Sequence, residues 1–146
     1  MERLCRCMHS YQKENNIKKL CMDNATFFRD SINASFNENA EAITVFAVFE
    51  KNKDLCVCVH MVVKITDIQI IDPSYEIACN DNVEYVRDIK TLLKMKLDLK
   101  EEDKKHLITK FLRMKQYEDR MKTELLIVNK EYYNKQADYI QAKINN

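Results

Sequence analysis

The chain of 146 residues has no glycine, no tryptophan and a single proline. At average usage a chain this long carries about ten glycines. Their absence removes whole mechanisms. A phosphate-binding P-loop and a dinucleotide fingerprint need glycine where backbone N–H groups close on phosphate, and a G-x-S-x-G elbow needs it to hold a strained serine. None of the three can be built here. Tight turns must fall to Asn and Asp, the non-glycine residues that best tolerate the left-handed backbone, and the chain holds 13 Asn. Charge of one sign is lacking too. The 24 Lys and Arg stand against 23 Asp and Glu, a formal charge of +1. No strong overall attraction to nucleic acid or to an anionic membrane is therefore expected, and no specific nucleic-acid signal is read. No apolar run approaches the roughly 20 residues of a membrane span. The stretch from Met1 to Asn16 has no apolar core of the secretory kind. These absences point to an intracellular setting, cytoplasmic or nuclear, in which the six cysteines stay reduced.

What is present reads as one α+β domain spanning residues 1–146. Ala42 to Glu50 is rich in β-branched and aromatic residues, Asn52-Lys53-Asp54 is a turn cluster, and Leu55 to Ile65 is a second strand pattern. Thr66-Asp67 marks a second tight turn, and Ile68 to Ile71 a third strand stopped by Asp72-Pro73. The three form an antiparallel meander. The nearly continuous apolar content of the middle strand predicts cover on both faces. Met22 to Phe36 is predicted helical, with Ala25, Phe28, Ile32 and Phe36 inward. Further helices are predicted over Asn82 to Leu97, Lys100 to Met121 (Leu107, Ile108, Phe111, Leu112 and Met114 inward) and Lys130 to Ile144, with Glu124 to Val128 open between helix and strand. Residues 1–80 would then hold a cysteine helix and a sheet, and residues 81–146 a helical subdomain.

Three residues fall into an order that carries chemistry. Cys21 sits where the first of these helices begins, and a helix N-terminus, with its partial positive charge and free N–H groups, favours a thiolate. Lys18 and Lys19 lie just upstream. A nucleophilic cysteine also needs a base, and the base an orienting group. His60 lies in the middle strand and Asp72 ends the next, so the two can meet on neighbouring strands. An imidazole held by a carboxylate has a fixed tautomer and a stabilised cation.

This order resembles the transglutaminase-like branch of the papain-like cysteine enzymes. Cys21-Met22-Asp23-Asn24-Ala25 is similar to the branch's nucleophile helix, Cys-x-Asp-x-Ala. His60-Met61-Val62-Val63, with Ile70-Ile71-Asp72-Pro73-Ser74, is similar to its paired strands carrying the histidine and the aspartate. The likeness covers roughly residues 15–77. It implies a papain-like core with a cysteine helix packed on a small antiparallel sheet, and acyl transfer to water or to an amine (amide hydrolysis, deamidation or transglutamination). Cys21, His60 and Asp72 would be catalytic, on a protein or peptide substrate, without a cofactor. An oxyanion donor is expected a few residues upstream of the cysteine, with Gln12, Asn15 and Asn16 as candidates. The chain departs from the family pattern at Leu20, where the family has glycine, at Val62, where it has tryptophan, and in the hairpin at Thr66-Asp67, where glycine is usual.

Two other classes stand beside this one. A non-catalytic interaction module, or a degenerate member of the same fold, is motivated by those departures. Metal binding is motivated by the echo between Cys5, Cys7, His9 and Cys56, Cys58, His60. However, C-x-C along a strand spreads its sulfurs nearly 7 Å apart, which suits one ion poorly. The reading preferred for Cys56 and Cys58 is a floor beside His60; for Cys79 it is plain packing. Leu107, Phe111, Met114, Met121, Leu125, Val128 and Tyr132 follow a three-and-four spacing broken at Glu118. They offer a seam for self-association or a partner helix, but packing on the chain's own sheet is the preferred reading, as it is for Tyr132, Tyr133 and Tyr139.

Overall fold

Strand β1 (Glu41–Lys51) and strand β2 (Asp54–Lys64) form a long hairpin, in register from Glu41 against Lys64 to Lys51 against Asp54. The two-residue loop is Asn52-Lys53, with φ of 53° and 69°. Two successive positive φ values define the type I′ turn, whose twist matches that of the strands it joins. The computed structural model describes residues 1–145. Among them the left-handed backbone is taken by Asn16, Lys19, Asn37, Asn52, Lys53 and Asn82. Asn thus replaces glycine as expected, but Asp does not; two lysines carry the remaining positions.

The rest of the sheet differs from the sequence reading. The second turn runs past Thr66-Asp67 to Gln69, whose carbonyl accepts the Ile65 N–H at 2.9 Å. Ile68 is 96% exposed, so the third strand, β3, shrinks to Ile70–Ile71 beside Val63 and Lys64. After the short helix α3 (Tyr75–Ala78) the chain forms β4 (Asp81–Val86), antiparallel to β1, so the order is β3-β2-β1-β4. The helix expected over Asn82 to Leu97 is corrected to β4 followed by α4 (Ile89–Lys94). Val83 and Tyr85 alternate along the strand, and Asp88 accepts the Thr91 N–H at 2.7 Å, starting α4 afresh. Because β4 completes the same sheet, residue 80 is no boundary, and the second half is not purely helical.

Helices α2 (Cys21–Phe36), α5 (Glu101–Met121) and α6 (Lys130–Ile144) stand where periodicity put them. A further helix, α1 (Glu2–Glu14), was not expected. One end of one sheet face packs Met61 and Val63 against Ala25, Phe28 and Ile32 of α2 and Met8 of α1. The other end packs Phe46 and Val86 against Leu92 of α4 and Phe111 of α5, with the Phe46 and Phe111 rings stacked at 4.4 Å. Phe36 and Leu112, expected inward, are about half exposed, and Cys79, expected to pack, is exposed. Asn37 ends α2 just beyond Phe36, and Phe111 rather than its neighbour faces the sheet.

Glu118 breaks the apolar seam for a reason. β4 stops opposite Phe46, leaving the Thr44 N–H without a ladder partner, and buried Glu118 Oε1 accepts it at 2.5 Å. Residues 124–128 form neither helix nor strand. Their end is tied down instead: the N–H groups of Val128 and Asn129 donate to the two oxygens of Asp23 at 2.6 and 2.7 Å. Leu125 and Val128 lie exposed while Tyr132 is buried, so the three-and-four spacing does not form one continuous seam. Among the described residues, no helix is long and apolar enough to cross a membrane.

Candidate active site

Cys21 is the first residue of α2 and is half-buried. Leu20 provides no side-chain cap, so the first-turn N–H groups are not closed off from that side. The turn into the helix is made by Lys19 at φ 63°, and the Lys19 N–H is anchored on Glu76 Oε1 of α3 at 2.7 Å. His60 projects from β2 and is buried. Its Nε2 lies 3.0 Å from both Oδ1 and Oδ2 of Asp72, which follows β3. Cys21 and His60 line the same cleft, and the cysteine is near enough to act on the imidazole. With Nε2 committed to Asp72, Nδ1 is the ring nitrogen left for a thiol. The structure thus brings the three residues singled out in the sequence into one region: Asp72 holds His60, and His60 shares a cleft with Cys21.

The electrostatics follow from this order. Burial works against a charged His60, but hydrogen bonds and opposite charge from Asp72 and Cys21 outweigh it and push the imidazole up to about 10. For the two neighbouring thiols an upward shift has the opposite consequence, a neutral group. Burial, reinforced by nearby negative charge, pushes Cys58 up to about 12 and Cys5 to about 11, so both stay protonated at neutral pH. Proximity to the site therefore does not activate these thiols.

Asp72 is held from several sides. The Ser74 N–H donates to Oδ1 at 2.9 Å, and the Tyr85 hydroxyl to Oδ2 at 2.6 Å. The Tyr85 ring stacks at 6.5 Å from that of His60, and burial beside the carboxylate raises its own ionisation well above the usual range. The Asp72 carbonyl lies 2.8 Å from His9 Nε2 of α1, which in turn meets Cys5 Sγ at 3.5 Å. Ser74 Oγ accepts from Asn24 of α2 at 3.0 Å, and Asn24 Oδ1 accepts from the Tyr132 hydroxyl of α6. Helices α1 and α2 and the sheet therefore converge on one short loop, with α6 bracing α2 behind it.

Sequence reasoning missed Tyr85, the bond from His9 to the Asp72 carbonyl, and the hydrogen bonds of Asn24. The period-two run Val83-x-Tyr85 before the Asp88 cap was the available signal for Tyr85; the Cys5-Cys7-His9 echo singled out His9, but as a metal ligand and not as a partner of the Asp72 loop. The oxyanion candidates require correction. Gln12 is buried with its amide fully used: Nε2 donates to Pro73 O at 2.7 Å and to Gln136 Oε1 at 3.0 Å, and Oε1 accepts the Tyr75 N–H at 2.8 Å. Asn15 bonds back to Tyr11 O at 2.8 Å. Asn16 lines, with Gln12, a separate cavity of about 240 Å³. None of the three lines the cavity that holds Cys21. The donors at hand there are the backbone N–H groups of the first turn of α2.

That cavity is a cleft of about 620 Å³ beside Cys21 and His60, with Cys58, Phe49, Met114 and Tyr117 among its walls. Cys56 and Cys58 line it on the His60 side, as the floor reading expected. The six-ligand metal reading is not assembled. The stretch holding Cys5, Cys7 and His9 is helical and that holding Cys56, Cys58 and His60 is strand, and among the described residues no three His, Cys, Asp or Glu groups converge as metal ligands. No protein-family model, curated protein or solved structure matches the chain.

Proposed function

We propose that the protein is a cysteine-dependent acyl-transfer enzyme with a papain-like, transglutaminase-like core. The observation that carries this reading is a buried imidazole with Asp72 on Nε2, which lines one substrate-sized cleft with Cys21 at a helix start. The Cys21 sulfur attacks the carbonyl carbon of an amide or ester and forms a C–S bond. Charge that develops on the carbonyl oxygen meets the N–H groups of the first turn of α2. His60 Nδ1 delivers its proton to the departing nitrogen or oxygen as that bond breaks, leaving a thioester. Water or an amine then attacks the thioester and gives its proton to His60, and the sulfur departs. Asp72 keeps the ring oriented and stabilises its cation throughout.

The test is competitive labelling of the whole protein with iodoacetamide at pH 6, read by mass spectrometry. Cys21 is expected to be alkylated ahead of exposed Cys79, and Asp72→Asn to abolish that lead. Uniform slow labelling of all six cysteines would favour the non-catalytic interaction module instead.

A further inference from the structure

The wall of the cleft opposite the sheet is a single stripe of α5. Lys110, Arg113, Met114 and Tyr117 recur at three-to-four spacing and all line it. Lys51 from the end of β1 and Lys19 from the turn before Cys21 add two more cations. The one carboxylate in the lining, Glu76, already accepts the Lys19 N–H. None of the four cations makes an ion pair among the described residues. On a chain whose formal charge is only +1, this is a local concentration of positive charge, set around the reacting sulfur by three separate elements.

The backbone beside this rim is also unpartnered. β3 pairs with β2 only at Val63 and Lys64, so among the described residues the outer edge of β2 from Leu55 to His60 has no strand partner. The Ile65 N–H donates outward, to Gln69. Alternation along the strand then points the N–H and C=O groups of Val59 and Val57 outward as well. Val59, Cys58 and Cys56 line the cleft, so this edge borders it, with His60 at the end nearest Cys21.

We infer that the cleft takes an extended acidic polypeptide segment, which adds as a strand to the open edge of β2 with its carboxylates against Lys51, Lys110 and Arg113. This rests on the acyl-transfer reading for the identity of the reacting bond. That reading requires an open-chain amide or ester, which a polypeptide supplies and a nucleic-acid strand, whose carbonyls lie within its base rings, does not. Charge separates the segment from a second copy of the chain, because symmetric edge pairing would bring like cations face to face.

The reagent test compares alkylation of Cys21 by iodoacetate and by iodoacetamide. Both meet the same sulfur, so their rate ratio reports the field in the cleft and not the readiness of the thiol. The double variant Lys110→Glu, Arg113→Glu is expected to lower the iodoacetate-to-iodoacetamide ratio about tenfold. A ratio equal to that of the unaltered protein overturns the inference. The second test uses the full-length Cys21→Ser protein, which cannot acylate, and the fluorescence anisotropy of a labelled glutamate-rich peptide carrying one glutamine. It is expected to bind at least about tenfold tighter than its glutamine-for-glutamate counterpart, with the preference lost in the double variant. N-methylation of alternate amides is expected to abolish binding in one register and spare it in the other. Equal binding of both peptides, tighter binding of a polyuridylate, or a dimer displaced by the peptide each overturns it. Loss of the Cys21 lead over Cys79 at pH 6, with peptide selectivity intact, would strike the acyl-transfer reading alone.

Discussion

Asp72 carries more than an orienting role. Its carboxylate receives His60, the Ser74 N–H and the Tyr85 hydroxyl, all at 3.0 Å or less. A hydrogen bond to a buried charge is worth more than a neutral one, so Tyr85→Phe is expected to lower stability by about 2 kcal/mol, read as a lower urea midpoint with an unchanged slope. His60 gives a dependence on pH with a definite sign. Its folded value, about 10, lies above the ordinary 6.5, so its contribution is full below pH 6.5 and is lost as pH rises through 10. Between these limits the native state holds a proton that the unfolded chain has released. Unfolding free energy measured in urea should therefore fall with rising pH, by at most about 1.4 kcal/mol per unit from this group. In Asp72→Asn the fall should be much shallower; an unchanged slope would show that the carboxylate does not hold the cation. At this scale the site was largely legible, because Cys, His and Asp are distinctive at a helix start and at strand ends. Tyr85 was not, because its stretch reads as a helix and Tyr85 falls outside that helix's apolar stripe.

Helix α1 shows what periodicity leaves out. Its inward face includes Gln12, a polar residue that the spacing of apolar side chains cannot mark as interior. Gln12 clamps the turn just after Asp72, on either side of Ser74, through Pro73 O and the Tyr75 N–H. Gln12→Leu keeps most of the volume and strands two buried backbone groups. It is expected to cost about 3 kcal/mol and to slow Cys21 alkylation at pH 6 by freeing the loop that seats Asp72. Gln12→Glu should be no better, since it sets a carboxylate against the Pro73 carbonyl. Loss of stability with labelling intact would assign α1 a purely structural part. Strand β4 was misread for the opposite reason. Val83, Val86, Ile89, Leu92 and Leu93 imitate a helical stripe across what is a strand, a break and a short helix. In contrast, α2, α5 and α6 were legible because each keeps one period from end to end, with Asn129 marking the start of α6 by accepting the Tyr132 N–H at 3.0 Å.

For the molecule as a whole, the stretch that carries the family resemblance is not the folding unit. Residues 1–80 contain Cys21, His60 and Asp72 but lack much of what holds them. Without β4, β1 loses its ladder from Phe46 to Glu50, and Asp72 loses Tyr85. Without α5, Phe46 loses the ring stacked on it and the Thr44 N–H loses Glu118. Without α6 and its lead-in, Asn24 loses Tyr132, Gln12 loses Gln136, and buried Asp23 loses the two N–H groups that offset its burial. These contacts span sequence separations that local patterns cannot reveal, so the sequence showed the chemistry of the site without the shell around it. Buried polar groups stripped of their partners each cost about 1–3 kcal/mol, against a total stability of about 5–15 kcal/mol for a domain. A fragment of residues 1–80 is therefore expected to show no cooperative urea transition by far-UV circular dichroism. It should also show no preference for Cys21 over Cys79 in alkylation at pH 6, although both cysteines and the whole ordered triad are present. A cooperative transition with Cys21 still labelled first would mean that the hairpin, α1 and α2 suffice to build the site, and that β4, α5 and α6 serve the cleft alone.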